Sequence, residues 1–376
     1  MPQTSVTGEY AQAGVDYTKI EPFKMAMIGV AKRTVEFPLR RNVRVITDCL
    51  HSHGGTHEYV GTDKHRWCMT HEGLGNKNWI AEWMYMRDPG GGSRYEGIGY
   101  DTAMMAVGDV IAQGAMPVTY TDEVAAGDSE WFKDAQRAKA LTDGFYEACK
   151  DSGMALVAGE SPALRYLVKA EPPVKSAPSL SGCVTGIIAP ARQMITGKKL
   201  KIGDRIVGFT SSGIHSNGIS LIIKRALGLP DQFMTKLSNG KLLGDEALIP
   251  TRCYVGLIER MLEWDVDIHA LLPGTGGGIG KVAFDKRQMT YRIHSWPEVP
   301  FLFQFMRELG VSLPDCLTTF NWGIGYYAFI PSRQVKKVID LAADMGYTAL
   351  EVGRVEAGER KVIFEPEGIT LPPPGD

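Results

Sequence analysis

The chain has 376 residues, which is enough for two domains of ordinary size. Its hydrophobic fraction of 44%, charged fraction of 22% and formal net charge of -2 are ordinary for a globular enzyme, and they give no electrostatic reason to expect nucleic acid or an acidic membrane as a partner. No apolar run reaches membrane-spanning length, the first ten residues lack a signal peptide's apolar stretch, and the six cysteines form no C-x-x-C pair, so we expect a cytoplasmic protein with reduced thiols.

Hydrophobic periodicity and Gly/Pro breaks predict mixed helices and strands in the first half of the chain. The predicted strands are residues 43–46, 67–70, 118–124, 155–158 and 180–188. The predicted helices are residues 78–86, 102–113 and 134–152, with a loop at 88–94. Residues 189–194 are typical of a domain exit, so we place a boundary near Pro190, giving domains 1–190 and 191–376.

The second half opens with a turn that feeds a predicted strand at residues 201–209. Predicted helices follow at residues 218–227, 251–264, 300–309 and 332–345. Further strands are predicted at residues 323–330, 349–355 and 361–364. This alternation predicts an α/β or α+β domain.

An acidic residue, Asp109, lies inside an apolar helical run that should break at Gly114, before Pro117 prevents further helix. Desolvating a carboxylate costs several kcal/mol unless a cation or hydrogen-bond donors meet it. The pattern therefore favours a ligand of metal or of nucleotide phosphate. A solvated helix acid followed by a C-terminal glycine is the alternative.

The segment H-E-G-L-G-N-K, residues 71–77, follows a predicted strand. Gly73 and Gly75 would let backbone N–H groups approach phosphate oxygens, Lys77 would supply a cation, and Glu72 could hold Mg²⁺. The spacing is not that of a P-loop. A strand-to-helix turn with a solvated lysine is an equal alternative.

Two other features of the first half could bind ligands. The segment V-A-G-E-S-P delivers Glu160 at the end of a short strand, where it could bind a metal or ligand or lie beside a helix N-terminus. The cluster H-S-H-G-G-T-H contains His51, His53 and His57, but no cysteine or carboxylate spacing completes a metal site. We therefore expect a flexible glycine-rich loop with incidental histidines.

In the second half, T-S-S-G-I-H-S-N-G follows a strand and precedes a helix, where α/β folds bind ligands. We call residues 210–218 the serine loop. His215 could carry a proton or donate a hydrogen bond, and the candidate phosphate donors are Ser211, Ser212 and Gly213. No G-x-S-x-G elbow is present, which argues against a hydrolase nucleophile. Simple helix capping by Ser216 or Asn217 is the alternative.

Two glycine-rich segments complete the candidates. P-G-T-G-G-G-I-G, residues 273–280, precedes a probable helix, and its consecutive glycines would let a ligand or another backbone approach. It fails the dinucleotide fingerprint at the last glycine. F-N-W-G-I-G-Y, residues 320–326, places Asn321 beside two glycines; a glycine-bearing strand turn is equally consistent.

The order of these segments is more specific than any one of them. The motifs include H-E-G-L-G-N-K, G-I-G-Y-D-T-A-M-M-A-V-G-D-V-I-A-Q-G-A-M-P, S-S-G-I-H-S-N-G, L-I-P-T-R-C-Y-V, T-G-G-G and F-N-W-G-I-G. These motifs form an ordered set that covers residues 10–355. In this set the chain resembles the AIR synthetase family, the phosphoribosylformylglycinamidine cyclo-ligases of purine biosynthesis. The resemblance implies a PurM-like α/β (α+β) architecture. It also implies an N-terminal domain that binds ATP with Mg²⁺ and forms a homodimer, and a C-terminal substrate domain.

The implied reaction closes an imidazole ring: formylglycinamidine ribonucleotide and ATP give aminoimidazole ribonucleotide, ADP and phosphate. The resemblance implies Mg²⁺ ligands at Glu72, Asp101 and Asp109. The nucleotide contacts it implies are Lys77, Gly73, Gly75, Asp101 and Asp109. The catalytic candidates are Glu160, His215 and Asn217, and the substrate contacts are Ser211, Ser212, Gly213, Thr275 and Asn321.

The chain departs from the family pattern at four places. Glu72 stands where the family usually has Asp, Gly108 replaces Asn, Pro273 replaces His, and the loop after Glu160 differs. Two other functions therefore stay open. One is an ATP-using enzyme of the same superfamily with another acceptor, such as a small-molecule kinase. The other is a non-catalytic nucleotide-binding protein.

Overall fold

The computed structural model describes residues 8–50 and 54–375. The α-helices are α1 (Glu9–Gln12), α2 (Tyr17–Thr34), α3 (Lys77–Arg87), α4 (Tyr95–Ala112), α5 (Ala135–Ser152), α6 (Ile219–Ala226), α7 (Leu243–Ala247), α8 (Val255–Glu263), α9 (Phe301–Glu308), α10 (Leu313–Thr319) and α11 (Val335–Asp344). The strands are β1 (Val43–Val45), β2 (His57–Tyr59), β3 (Arg66–Gly73), β4 (Met116–Ala125), β5 (Ala155–Glu160), β6 (Ser179–Ile188), β7 (Arg205–Thr210), β8 (Ala270–Pro273), β9 (Met289–Ile293), β10 (Ile324–Ile330), β11 (Ala349–Ala357), β12 (Lys361–Phe364) and β13 (Ile369–Leu371). In the described residues, no helix is long and apolar enough to cross a membrane.

Most strands belong to two sheets. One has the order β3-β6-β4-β5, in which β4 and β5 run parallel. The other has the order β13-β12-β9-β11-β7-β10-β8, in which β7 pairs antiparallel with both β10 and β11. Strand β10 is buried along its whole length and pairs antiparallel with β7 on one side and β8 on the other. The loop before β10 and the loops after β7 and β8 therefore lie at the same edge of the sheet.

The chain forms two compact units. The first contains the described residues up to Gly61, together with His71–Ala106 and Val118–Val184. The second contains Thr62–Thr70, Val107–Pro117 and the described residues from Thr185 onward. The sequence-based boundary near Pro190 and the two domain ranges stay predictions.

Helix α4 begins at Tyr95, seven residues before the predicted start at Thr102. Glycines of α4 and α5 serve close packing: a Cβ on Gly99 would lie 2.4 Å from the carbonyl oxygen of Leu141, and one on Gly144 would lie 2.0 Å from that of Glu96. Helices α4 and α5 therefore approach through backbone contacts that only glycine allows. The predicted break after α4 is confirmed, since Gly114 has a φ of 74°.

Three other local predictions are corrected. Residues 71–73 are the last residues of β3, so the predicted loop at 71–77 shrinks to residues 74–76. The expected helix after the glycine run is a 3-10 helix, Gly278–Ala283, because Gly277 and Gly278 adopt left-handed backbone angles. His57 lies in β2 and not in a loop, and His51 and His53 lie outside the described residues.

Candidate functional site

The first unit contains a buried ion pair between Lys77 and Asp101. Lys77 is the first residue of α3, Asp101 lies in α4, and their side chains are both 0% exposed with Nζ 2.5 Å from Oδ2. Burial lowers the pKa of Lys77, while the negative charge of Asp101 opposes that shift. The structure thus brings together two residues that the resemblance assigned to the nucleotide, one of which, Asp101, it also assigned to Mg²⁺.

Asp109, on the last turns of α4, is half-buried and belongs to the second unit. Two groups of the same unit, the Tyr326 hydroxyl and the Cys68 thiol, have raised pKa values. Burial is the larger cause in both, and the negative charge of Asp109 adds to it. The Tyr326 hydroxyl donates to the carbonyl oxygen of Gly108 over 2.8 Å. Asp109 therefore lies beside a fixed phenol, which the sequence did not indicate.

The three predicted Mg²⁺ ligands belong to two different units of the chain. Glu72 and Asp101 belong to the first unit and Asp109 to the second. Over residues 8–50 and 54–375, no group of three or more His, Cys, Asp or Glu side chains could hold a metal ion. Mg²⁺ binding by these three acids stays a prediction, and we derive no chemical step through a metal.

Three acids lie at the carboxyl ends of the parallel strands β4 and β5. Glu123 is opposite Glu160, and Asp122 is opposite Gly159. Asp122 is only 6% exposed, and its Oδ1 has no hydrogen-bond partner in the described part of the chain. Burial raises the pKa of Asp122 to about 8, with smaller contributions from the charges of Glu160 and Glu123. Sequence reasoning found Glu160 but missed Asp122, although the strand-end position that flagged Glu160 also applies to Asp122.

In the second unit, the serine loop is bound to the segment that precedes β10. The Ser211 hydroxyl donates to Asn321 Oδ1 over 3.2 Å, and Asn321 Nδ2 donates to the carbonyl oxygen of Gly213 over 2.9 Å. The Ser211 backbone N–H donates to the carbonyl oxygen of Gly323 over 2.9 Å. Asn321, 3% exposed, therefore joins two segments that the sequence separates by more than a hundred residues.

The same loop positions His215 and Asn217. His215 is 4% exposed and has a φ of 60°, a left-handed angle that is uncommon for a residue with a side chain. Asn217 Oδ1 lies beside Gly276, at 3.5 Å from where a Cβ would be. Thr275, next to Gly276, accepts a hydrogen bond from the Lys281 ammonium group. The predicted residues of the second unit thus lie on adjoining segments.

This region offers neutral hydrogen-bond donors. Within residues 8–50 and 54–375, the backbone N–H groups of Ser212 and Gly213 donate to no acceptor. The Ser212 hydroxyl donates to the carbonyl oxygen of Pro250 over 2.6 Å. Adjacent backbone N–H groups that the protein leaves available are the groups with which a loop binds phosphate oxygens.

Sequence reasoning missed the aromatic residues behind this loop. Tyr254 and Tyr326 have ring centres 5.2 Å apart, and Tyr254 lies 6.2 Å from the His215 ring. Tyr254 belongs to the P-T-R-C-Y-V motif, which carried the family resemblance but received no role. The continuous apolar run of β10 could have indicated Tyr326 only as a core residue.

Sequence models of two families match the chain in order. The "AIR synthase related protein, N-terminal domain" model matches residues 56–188, and the "AIR synthase related protein, C-terminal domain" model matches residues 201–365. The chain is 30% identical over 366 residues to the phosphoribosylformylglycinamidine cyclo-ligase of Pyrococcus horikoshii, covering 96% of this chain and 99% of that one. It is 34% identical over 280 residues to the protein of the same name from Brevibacillus brevis, covering 72% and 77% of the two chains.

Solved structures share the fold at low sequence identity. The thiamine-monophosphate kinase of Stenotrophomonas maltophilia superposes with a TM-score of 0.59 at 18% identity, covering 90% of this chain and 96% of that one. A hydrogenase maturation protein, HypE, solved in complex with ATP, superposes with a TM-score of 0.56 at 16% identity, covering 85% and 88%. The predicted PurM-like α/β (α+β) fold is confirmed.

Proposed function

The chain belongs to the AIR synthetase family of ligases, and from that premise we propose that it catalyses ATP-dependent ring closure of formylglycinamidine ribonucleotide. The products would be aminoimidazole ribonucleotide, ADP and phosphate. The observation that carries the proposal is similarity to a cyclo-ligase over 96% of this chain and 99% of that one.

The serine loop would bind the phosphate group of the ribonucleotide. The support is the pair of N–H groups on Ser212 and Gly213, which donate to no acceptor within the described residues. The Ser211 N–H and the Gly213 carbonyl are both hydrogen-bonded, to Gly323 and Asn321, so the segment that carries these donors is anchored on both sides before the phosphate binds. Asn217, in the serine loop itself, and Thr275, on the adjoining glycine-rich segment, would contact the remainder of the substrate.

The chemistry divides into two steps. The γ-phosphoryl group of ATP is transferred to the formyl oxygen, the bond to the β-phosphate oxygen breaks, and the formamide N–H loses its proton as the iminophosphate forms. The neighbouring amine then attacks the formyl carbon, the C–O bond breaks, phosphate leaves, and the attacking nitrogen loses a proton. Most of the catalysis is positioning and charge neutralisation, and His215 is the candidate proton carrier of the second unit.

The first unit would contain the nucleotide-binding part of the site. Lys77, Asp101 and the glycines Gly73 and Gly75 are the residues proposed for ATP, and Glu160 is proposed to contact substrate. A homodimer and a cytoplasmic location are parts of the same proposal. For these assignments the support is the family membership and, for Lys77 and Asp101, their mutual contact.

A direct assay tests the proposal. Purified full-length protein is incubated with formylglycinamidine ribonucleotide, ATP and Mg²⁺, and mass spectrometry follows the aminoimidazole product while a coupled assay follows ADP. We expect equal amounts of both, and no ADP when the ribonucleotide is omitted. ADP release with another acceptor only would favour a kinase of the same superfamily. ATP binding without any substrate-dependent ADP release would favour a non-catalytic nucleotide-binding protein.

A further inference from the structure

The serine loop has an unusual backbone that needs support from outside itself. His215 and Gly218 both have left-handed φ angles, of 60° and 78°. A left-handed angle at a residue with a side chain persists only where neighbouring groups determine it. The contacts that surround the loop therefore decide whether its donors and its imidazole keep their positions.

Much of that support comes from the P-T-R-C-Y-V segment, residues 250–255. The Tyr254 hydroxyl donates to the carbonyl oxygen of Thr210 over 2.9 Å, at the first residue of the serine loop. The Ser212 hydroxyl donates in the opposite direction, to the carbonyl oxygen of Pro250 over 2.6 Å. Two reciprocal hydrogen bonds thus join two motifs that the sequence separates by about forty residues.

The ring of Tyr254 lies at the centre of an aromatic cluster. The ring centres of Tyr326, Tyr347 and His215 lie 5.2, 6.0 and 6.2 Å from that of Tyr254. A Cβ on Gly325 would lie 2.0 Å from the Tyr254 hydroxyl oxygen and 2.5 Å from His215 Cε1. The absence of a side chain at position 325 is therefore what allows the phenol and the imidazole to lie over the same stretch of β10.

Tyr254 is itself held in place. It is 4% exposed and immediately precedes α8. Behind it, the Tyr347 hydroxyl donates to the carbonyl oxygen of Cys253 over 2.7 Å, and the guanidinium carbon of Arg252 lies 5.6 Å from the Tyr347 ring centre. Burial raises the pKa of Tyr254, so its hydroxyl keeps the proton that it donates to Thr210. The residue is a rigid, neutral donor on a fixed helix end.

We propose that Tyr254 is a positioning residue that holds the serine loop and His215 in the conformation that binds the phosphorylated ribonucleotide. This inference rests on the proposed function for the identity of the substrate, but not for the loop contacts. The hydroxyl restrains the start of the loop through Thr210, and the ring restrains His215 from the side of β10. Tyr254 itself need not contact the substrate.

The test compares Tyr254→Phe with Tyr291→Phe in the full-length protein. Tyr254→Phe keeps the ring and removes one hydrogen bond. Tyr291, in β9, is a second buried tyrosine, and its hydroxyl has no hydrogen-bond partner within residues 8–50 and 54–375. Tyr291→Phe therefore controls for the loss of a buried hydroxyl group. Hydrogen–deuterium exchange of peptides covering residues 211–217 is measured without ligand. We expect exchange to become about fivefold faster in Tyr254→Phe, as for loss of one hydrogen bond, and unchanged in Tyr291→Phe.

Steady-state kinetics supply a second readout. We expect Tyr254→Phe to raise the KM for the ribonucleotide by about fivefold, with the KM for ATP unchanged, because only the substrate loop is loosened. The inference would be overturned if the 211–217 peptides of Tyr254→Phe exchanged at the wild-type rate, or if the KM for the ribonucleotide and the KM for ATP changed equally. If the wild-type protein turns over no formylglycinamidine ribonucleotide, the proposed function fails, and the exchange measurement alone then decides the role of Tyr254.

Discussion

Two regions of the molecule stabilise buried polar groups differently. The Lys77–Asp101 pair does so with opposite charges, and the serine loop does so with neutral hydrogen bonds. Lys77 and Asp101 carry full charges, are both 0% exposed and compensate each other over 2.5 Å. The serine loop, residues 210–218, contains no acid and no lysine or arginine, and its polar atoms are hydroxyls, amides, one imidazole and backbone groups. Its supports, Asn321 and Tyr254, are neutral as well.

The difference separates two kinds of sensitivity. A buried charge pair tolerates little, because removing one partner leaves the other uncompensated in a medium of low dielectric. A neutral loop loses about one hydrogen bond per substitution, so its stability changes little while its geometry, and hence its affinity for a ligand, changes more. We therefore expect substitutions in the first unit to act mainly on folding and those in the serine loop to act mainly on KM.

Lys77→Met should have the largest effect. It leaves the Asp101 carboxylate buried without its cation, and we expect the free energy of unfolding to fall by about 3–5 kcal/mol. Urea denaturation followed by circular dichroism measures this. Lys139→Met is the matched control, because Lys139 pairs with Asp143 at the surface and is 76% exposed. We expect that substitution to change stability by less than about 0.5 kcal/mol. Equal losses in the two variants would show that the buried pair is not what distinguishes the first unit.

Asp122→Asn tests another buried carboxyl group of the first unit. Folding raises the pKa of Asp122 from 3.8 to about 8, so between these values the unfolded chain ionises and the folded chain does not. Wild-type stability should therefore be fully present below pH 3.8 and be lost as pH rises towards about 8. Asn cannot ionise, so the variant should match the wild type near pH 4 and exceed it by a few kcal/mol at pH 8.

Thermal unfolding at pH 4, 6 and 8 measures this difference. Asp63→Asn, at an exposed position, is the control and should follow the wild-type curve at all three values. A constant difference between Asp122→Asn and the wild type across the pH range would mean that the carboxyl group is ionised in the folded protein. Such a result would remove the contrast between charged and neutral burial at this residue.

Gly325→Ala tests the support of the serine loop, and we expect an intermediate loss of stability. The new methyl group would collide with the Tyr254 hydroxyl and with His215, so one of them must shift. We expect a stability loss of about 1–3 kcal/mol, as for overpacking a core, together with a raised KM for the ribonucleotide. Gly256→Ala in α8 is the control, since its Cβ would meet only Met345 Cε at 3.5 Å. A loss of stability with both KM values unchanged would mean that the cluster serves packing alone.

The sequence predicted much of the fold, and the errors have local causes. Hydrophobic patterns and Gly/Pro breaks located α3, α5 and β4 to within a few residues. The start of α4 was placed too late: the helix contains Gly97 and Gly99, residues of low helix propensity, and Gly99 is needed for contact with α5. Helix α2 was not predicted at all, and it contains Pro22, a residue that sequence rules treat as a helix breaker.

The candidate site was predicted unevenly for a related reason. Glycine and polar residues grouped at a strand end contribute little to core packing and so indicate a ligand loop. This pattern identified Ser211, Gly213 and Asn321, which do contact one another. Asp122 could have been flagged by the same strand-end position as Glu160, but Tyr254 could not be assigned, because an aromatic residue before a helix is common without function. Their roles depend on which distant atoms surround them, and single-sequence patterns do not contain that information.

Ser212→Ala should have the smallest effect on stability and still reveal the character of the loop. It removes one hydrogen bond to the carbonyl of Pro250, so we expect the free energy of unfolding to fall by about 1 kcal/mol. Thr318→Val is a matched control, because the Thr318 hydroxyl also donates to a proline carbonyl, that of Pro314, over 2.8 Å in α10. Both variants should lose similar stability, but only Ser212→Ala should raise the KM for the ribonucleotide, because only Ser212 neighbours the N–H groups proposed to bind phosphate. Equal KM values in the two variants would mean that the serine loop is held for folding rather than for ligand binding.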